Sequence, residues 1–242
     1  MSDFLAALQF LTIFPWPRRA ERAPEEIGRG AAFFPVVGFI LGVLLVFADW
    51  IIRPHLPPVL VAVVLTALLA LLTRGLHLDG LADTFDGLGA GGTRERMLAV
   101  MDDPRTGAFG VTAVVFVILC KVYAIASLDG TRRAALLLAP SLARWAMAAL
   151  AYRSTAAKEG LGAYMILHMT GSRLLFATVT AVIIAVASAG LRGVAAMVLV
   201  GLLALAFKYY FQRRLGGVTG DVFGAVAELG EAIVLVAFAV QR

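Results

Sequence analysis

Between Pro58 and Thr73 not one side chain can ionise, and the same holds from Leu174 to Leu191 and from Gly193 to Phe207. Each run approaches the roughly 20 residues that a helix needs to cross the hydrocarbon of a bilayer. A water-soluble core cannot absorb that much apolar surface. Of the 242 residues 61% are hydrophobic and 15% charged, against roughly 45–50% and 25% in soluble domains. The chain is therefore expected to form a single integral membrane domain over 1–242. Backbone polar groups cannot be left unpaired in lipid, so the fold class is all-α, a polytopic transmembrane helix bundle.

The apolar runs predict about seven spans, near 31–52, 58–76, 108–128, 134–151, 174–191, 193–211 and 222–240. Phe4 to Phe14 is apolar but short and ends at Pro15 and Pro17, which suits an N-terminal interfacial or re-entrant helix. Asp3 stands where a signal peptide would be basic, and no small-residue cleavage site follows, so the N-terminus is expected to be retained. The lone Cys120 cannot build a disulfide or a thiolate metal site. No internal repeat or linker divides the sequence.

The net charge is +5 and the isoelectric point about 9.8. The basic residues fall mostly in short segments between apolar runs, without the clustered solvated face that nucleic acid requires. They obey the positive-inside pattern instead. One side carries Arg18, Arg19, Arg22, Arg29, Arg94, Arg96, Arg105, Arg153, Lys158, Arg173, Arg213 and Arg214; the other carries Arg53, Arg132, Arg133, Arg192 and Arg242. The segments 15–30, 77–107, 152–173 and 212–221 are thus expected in the cytoplasm.

One of these segments continues an apolar run into acids: T-R-G-L-H-L-D-G-L-A-D-T-F-D-G-L-G-A-G-G from Thr73. If the helix continues, Asp79, Asp83 and Asp86 at i, i+4 and i+7 share one face. Like charges so placed repel, so something positive should compensate them. A hard divalent cation such as Mg²⁺ fits, because magnesium is held through one or two carboxylates plus substrate phosphates. Gly80, Gly87, Gly89, Gly91 and Gly92 would let a bulky ligand approach the backbone. A solvated loop with capping aspartates is the bland alternative, but Leu78, Leu81, Ala82, Phe85 and Leu88 are interleaved as in an amphipathic helix.

Thr93 is the expected N-cap of a short helix that must stop before Pro104. Beyond it, Asp103 either caps the next segment or completes the metal site or serves as base, with Arg105 holding a phosphate. A second polar set, Asp221, Glu228 and Glu231, lies at i, i+7 and i+10 in G-G-V-T-G-D-V-F-G-A-V-A-E-L-G-E. Intramembrane carboxylates are functional candidates by default, while Asp221 suits an N-cap equally well. The Gly216 to Gly220 loop, with Thr219, could cradle an anion, a weak signal by itself. Arg144 is the natural counter-charge for a carboxylate or a substrate phosphate, and Lys121 suits a structural ion pair. His77 could polarise a phosphate or could simply be hydrogen-bonded.

Three stretches, G-L-H-L-D-G-L-A-D-T-F-D-G (75–87), M-D-D-P-R-T-G-A-F-G (101–110) and the 216–231 segment, closely resemble the adenosylcobinamide-GDP ribazoletransferase family, the cobalamin 5′-phosphate synthases of the bacterial inner membrane. F-L-T-I-F-P-W-P (10–17) and F-P-V-V-G-F-I-L-G (34–42) are similar to it too, so the resemblance spans nearly the whole chain. It implies that a ribose hydroxyl of α-ribazole, or of its 5′-phosphate, attacks the cobinamide-side phosphorus of adenosylcobinamide-GDP with Mg²⁺ and releases GMP. Asp79, Asp83, Asp86 and Asp103 carry over as metal ligands, Asp83, Asp86 and Asp103 as catalytic groups. His77, Arg105, Arg144, Thr219, Asp221, Glu228 and Glu231 are the expected substrate contacts. Asp102 departs from the basic residue expected there. Implied partners are corrinoid and nucleotide substrates and membrane lipid, not nucleic acid, with a homo-oligomer or association with other corrinoid-pathway enzymes left open. The implied location is the inner membrane, with the site facing the cytoplasm.

A fainter likeness to the CDP-alcohol phosphotransferases rests on Asp83, Asp86, Gly87 and Ala90, but Gly91 replaces that family's arginine. A cation-coupled transporter is the rival from another class; most of the acids, however, sit at a membrane boundary rather than the midplane.

Overall fold

The computed structural model describes residues 2–14 and 23–240. Pro15, Trp16, Pro17, Arg18, Arg19, Arg22 and Arg242, used in the sequence reading, lie outside them. All regular structure among the described residues is helical: α1 Ser2–Leu11, α2 Pro24–Gly30, α3 Phe34–Ile52, α4 Pro58–Leu72, α5 Leu76–Ala90, α6 Arg94–Met101, α7 Ala108–Ser127, α8 Arg132–Ala151, α9 Leu161–His168, α10 Gly171–Leu215 and α11 Gly220–Ala239. A 3₁₀ turn, Ala31–Phe33, joins α2 to α3. Five of the helices are long and apolar enough to cross a membrane, or six segments if the bent pair α4 and α5 counts as one span.

Two expected spans look different in the structure. The run expected over 58–76 stops at Leu72, because Arg74 (φ 56°) and Gly75 (φ 68°) turn left-handed and α5 restarts at 90° to α4. The runs 174–191 and 193–211 form one element, α10, broken at Gly190 (φ 55°, ψ −132°). A Cβ on Gly193 would stand 2.2 Å from the Ala185 carbonyl oxygen, so the two arms lie against each other beside the break.

Helix α8 is the centre of the bundle, packed by α3, α10 and α11. Its alanines let neighbours come close, and Gly38 and Gly42 of α3 bring that helix against its backbone, a Cβ at Gly38 standing 2.3 Å from the Pro140 carbonyl. This i, i+4 glycine spacing is a recurrent membrane helix contact, since small residues allow dispersion packing where no hydrophobic drive exists. Along the outside, Phe47, Phe116, Ile183 and Leu191 are exposed, as a lipid-facing surface requires.

The connections sort to two ends. At one, Arg94 donates to the carbonyls of Leu215 and Ala157, Arg214 to that of Gly92, and Gly28 packs on Tyr164. At the other, Thr131 donates to Phe238, Arg192 to Val240, and Arg132 pairs with Asp49 at 2.8 Å. The described parts of the four segments expected on one side of the membrane are thus joined to one another.

Candidate active site

The acids are placed by the break at Thr73 to Gly75. Thr73 closes α4 by donating to the Leu69 carbonyl at 3.0 Å, and the freed Leu72 carbonyl accepts from the Ile13 amide at 2.7 Å. Arg74 donates to the carbonyls of Gln9 and Phe10, tying the end of α1 to the turn. From this anchored corner α5 carries all three aspartates. They differ in exposure: Asp79 is exposed, Asp83 half-buried and Asp86 buried.

Asp86 is fully engaged by the protein. Its carboxylate accepts from the amides of Gly107 (2.6 Å) and Gly110 (2.8 Å), at the N-terminus of α7, where unpaired amides and the helix dipole favour an anion. A Cβ on Gly110 would lie 2.4 Å from the carboxylate, so only glycine admits it. Two of the other glycines serve packing: Gly80 of α5 meets Gly224 and the Asp221 carbonyl of α11, and Gly87 meets Met101 of α6.

Where α5 crosses α11 a cavity of about 280 Å³ opens, lined by His77, Asp79, Lys158, Asp221, Met165 and Phe223 among others. Thr219 is the N-cap of α11, buried, accepting from the Val222 amide, with its hydroxyl 3.1 Å from Asp221. Lys158 bridges Asp102 (2.5 Å) and Asp221 (3.1 Å). Burial alone would lower the Lys158 ammonium, but the hydrogen bonds and charges of these two aspartates outweigh it and hold its pKa above 10.5. Asp83 lies in the field of Asp79, Asp221 and Asp86, opposed by Lys158. Several carboxylates against one shared ammonium leave the cavity wall negative.

Deeper in the bundle the polar residues satisfy each other. Lys121 of α7 contacts Glu228 and Glu231 of α11, and Arg144 of α8 contacts the second oxygen of Glu231. All four are buried, and their formal charges cancel. Arg144 also reaches His77 Nδ1 at 3.3 Å. A guanidinium only donates, so Nδ1 accepts and the ring proton sits on Nε2, which is buried without a partner among the described residues. Arg144, Glu228 and Glu231, expected to touch substrate, instead touch one another and the residue on the cavity floor. Lys121 takes the structural pairing expected of it.

Asp103 and Arg105 lie apart from this cavity. Asp103 accepts from the Arg105 backbone amide (2.9 Å) and from its guanidinium through both oxygens (3.0 and 2.8 Å). These hydrogen bonds hold the Asp103 carboxyl down at about 2. The cap of α7 is Gly107, so the pair forms a self-contained turn in the exposed 102–107 loop. Thr93 caps α6 as expected, accepting from the Arg96 amide.

Among the described residues no three His, Cys, Asp or Glu side chains are gathered as a ready-made metal cage. Asp79, Asp83 and Asp221 are nevertheless hard oxygen donors, of which Asp221 pairs with Lys158, and such donors suit a divalent cation completed by substrate phosphate. Lys158 was read from sequence only as a topological charge. Its neighbours Gly160 and Gly162, the latter against the Gly220 backbone, were the signal that the 158–163 segment touches a site.

Residues 3–239 match a family model described as Cobalamin-5-phosphate synthase. An adenosylcobinamide-GDP ribazoletransferase of Syntrophobacter fumaroxidans is 42% identical over 246 residues, covering 98% of both chains. Another, of Geotalea daltonii, is 40% identical over 233 residues, covering 96% of this chain and 94% of its own. A third, of Pseudomonas aeruginosa PAO1, is 40% identical over 242 residues, covering 99% and 98%. No solved structure matches the chain.

Proposed function

The chain belongs to the cobalamin-5-phosphate synthase family, and on that premise we propose that it joins α-ribazole, or its 5′-phosphate, to adenosylcobinamide-GDP at the cavity between α5 and α11. The observation that carries this placement is the acidic wall there: Asp79 and Asp221 line the cavity beside Lys158, and Asp83 lies in the field of both. The ribose hydroxyl oxygen forms a bond to the cobinamide-side phosphorus, the phosphoanhydride bond breaks, and GMP departs with the electron pair. The hydroxyl proton passes to Asp83, whose half-buried carboxylate lies between Asp79 and Asp86 on α5. His77 donates from Nε2 to substrate, held in that tautomer by Arg144, which Glu231 in turn holds. Arg105, positioned by Asp103, meets phosphate from the exposed loop.

Asp79, Asp83 and Asp221, which form no ready-made cage, would hold Mg²⁺ only together with substrate phosphate oxygens. Bound there, the ion neutralises phosphate charge as it builds in the transition state. Asp86 acts by seating α7 and not by touching substrate.

The break at Gly190 supports two crossings within α10, and the bend at Gly75 supports one broken crossing by α4 and α5. With α3, α7, α8 and α11 these make seven spans. The arginine and lysine distribution supports placing the acidic end in the cytoplasm, in a bacterial inner membrane.

Membranes containing the protein, given adenosylcobinamide-GDP, α-ribazole and Mg²⁺, are expected to release GMP, and a chelator is expected to stop it. Absence of GMP where a known synthase is active would remove the assignment.

A further inference from the structure

We infer that the two substrates approach Asp79 from two separate cavities, the nucleoside from the enclosed one between α5 and α11 and the corrinoid from a larger groove between α5 and α7. The inference rests on the reaction proposed above.

The second cavity measures about 880 Å³ and is lined by Arg74, Thr106, Val111, Val114 and Val115. Phe10, Leu76, Asp79 and Leu161 line both cavities, and Asp79 is the ionisable residue they share. The other three form an apolar partition. It is fixed in place, since the Phe10 carbonyl accepts from Arg74 at 3.1 Å and the Ile13 amide donates to Leu72.

A reaction that forms one bond between two substrates must bring both reacting atoms to the same groups while keeping their bodies apart. Sites for drug-sized molecules span roughly 300–1,000 Å³. The smaller cavity stands at the bottom of that range and the larger near its top. A nucleoside matches the first: Met147, Met165 and Phe223 offer an apolar wall for its base, while Lys158 and Asp221 face its sugar or 5′-phosphate. A corrin macrocycle cannot enter there. The valine-lined groove gives it a broad apolar surface, with Arg74 and Asp79 at the edge where its phosphate must arrive.

The rival occupant is a lipid acyl chain, because Val111 and Val115 are about half exposed on the membrane-facing side. Steady-state kinetics of three variants separates the two. Val111→Trp and Val115→Trp, each narrowing the groove from an exposed position, are expected to raise the KM for adenosylcobinamide-GDP about tenfold and leave that for α-ribazole unchanged. Ala163→Trp, in the smaller cavity, is expected to do the reverse. Melting temperatures identify any variant that has lost its fold, and the second valine position keeps the test open if one has. Unchanged KM values in both valine variants would give the groove to lipid and overturn the inference, as would a reversed pattern or both constants rising together in every variant. Failure of the wild type to release GMP would strike the reaction itself, a distinguishable result.

Discussion

The cavity wall and the layer beneath it use the same chemistry to opposite ends. Asp79 and Asp221 stand at an open cavity, with Asp83 in their field, and the balancing charge beside them is Lys158, which is shared with Asp102. Glu228 and Glu231, a short distance along α11, are paired with Lys121 and Arg144 with no net formal charge, and Lys121 and Glu228 also line a separate cavity of about 290 Å³. The second set lies within an apolar span and carries the membrane penalty for acids, so position alone would rank it as the more unusual. Compensation separates them. A neutral network has no net charge to offer a ligand, whereas the acids of the cavity wall outnumber the ammonium beside them.

Breaking the sealed network should have the largest effect. Arg144→Met leaves Glu231 buried with an incomplete partner set, and removing one member of a buried ion pair costs about 3–5 kcal/mol. Thermal unfolding in detergent should show a large loss of stability. Adding Glu231→Leu restores neutrality, with Lys121 and Glu228 still paired, and should recover much of the loss. If Arg144→Met instead kept the wild-type melting curve while turnover vanished, Arg144 would be a substrate contact and the contrast would collapse.

On the open side the sign reverses. Asp83→Asn should lower the rate of GMP release about 10²–10³-fold, the scale of losing one electrostatic contributor to a transition state. Its melting temperature should hold or rise, because one source of like-charge repulsion is gone. A fall in stability with the rate intact would move Asp83 into the structural class.

Much of this was legible in the sequence, and the reasons are specific. The apolar runs located the helices to within a few residues because a bilayer demands length and composition, and the cap at Thr93 was readable as local chemistry, whereas the α11 cap expected at Asp221 is Thr219, two residues earlier. The bend was not read, although Arg74-Gly75 lay in view, since the apolar run to Thr73 and the interleaved Leu76 and Leu78 argue for continuation. The acids of α5 were found by spacing, but spacing could not divide them. Asp86 owes its role to Gly107 and Gly110, some twenty residues away, and only the fold brings those amides to it. Lys158 was invisible as a site residue for the same reason: its partners Asp102 and Asp221 come from two other segments.

A packing change at the junction tests whether the cavity depends on the α5–α11 crossing. Gly80→Ala puts a Cβ 2.8 Å from the Asp221 carbonyl oxygen, and backbone cannot yield as a flexible side chain can. Overpacking of this kind costs about 1–3 kcal/mol, so a moderate drop in melting temperature should accompany slower GMP release. Release at the wild-type rate would show that the cavity tolerates a wider crossing.

The smallest effect is expected from Asp103→Asn, the residue that sequence reading placed in the catalytic set and the structure places in an exposed turn with Arg105. Solvent screens such a pair, so melting should not change measurably. Nor should the pair impose a pH dependence in the working range. A carboxyl held at about 2 in the fold, against about 3.9 unfolded, contributes fully above the unfolded value. It loses that contribution only as the pH falls through the folded one. If Asp103 merely aims Arg105, its amide variant should raise KM a few-fold and spare kcat. A loss of kcat rivalling that of Asp83→Asn would instead return Asp103 to the chemistry, and would mean that the 102–107 loop closes over the acids during turnover.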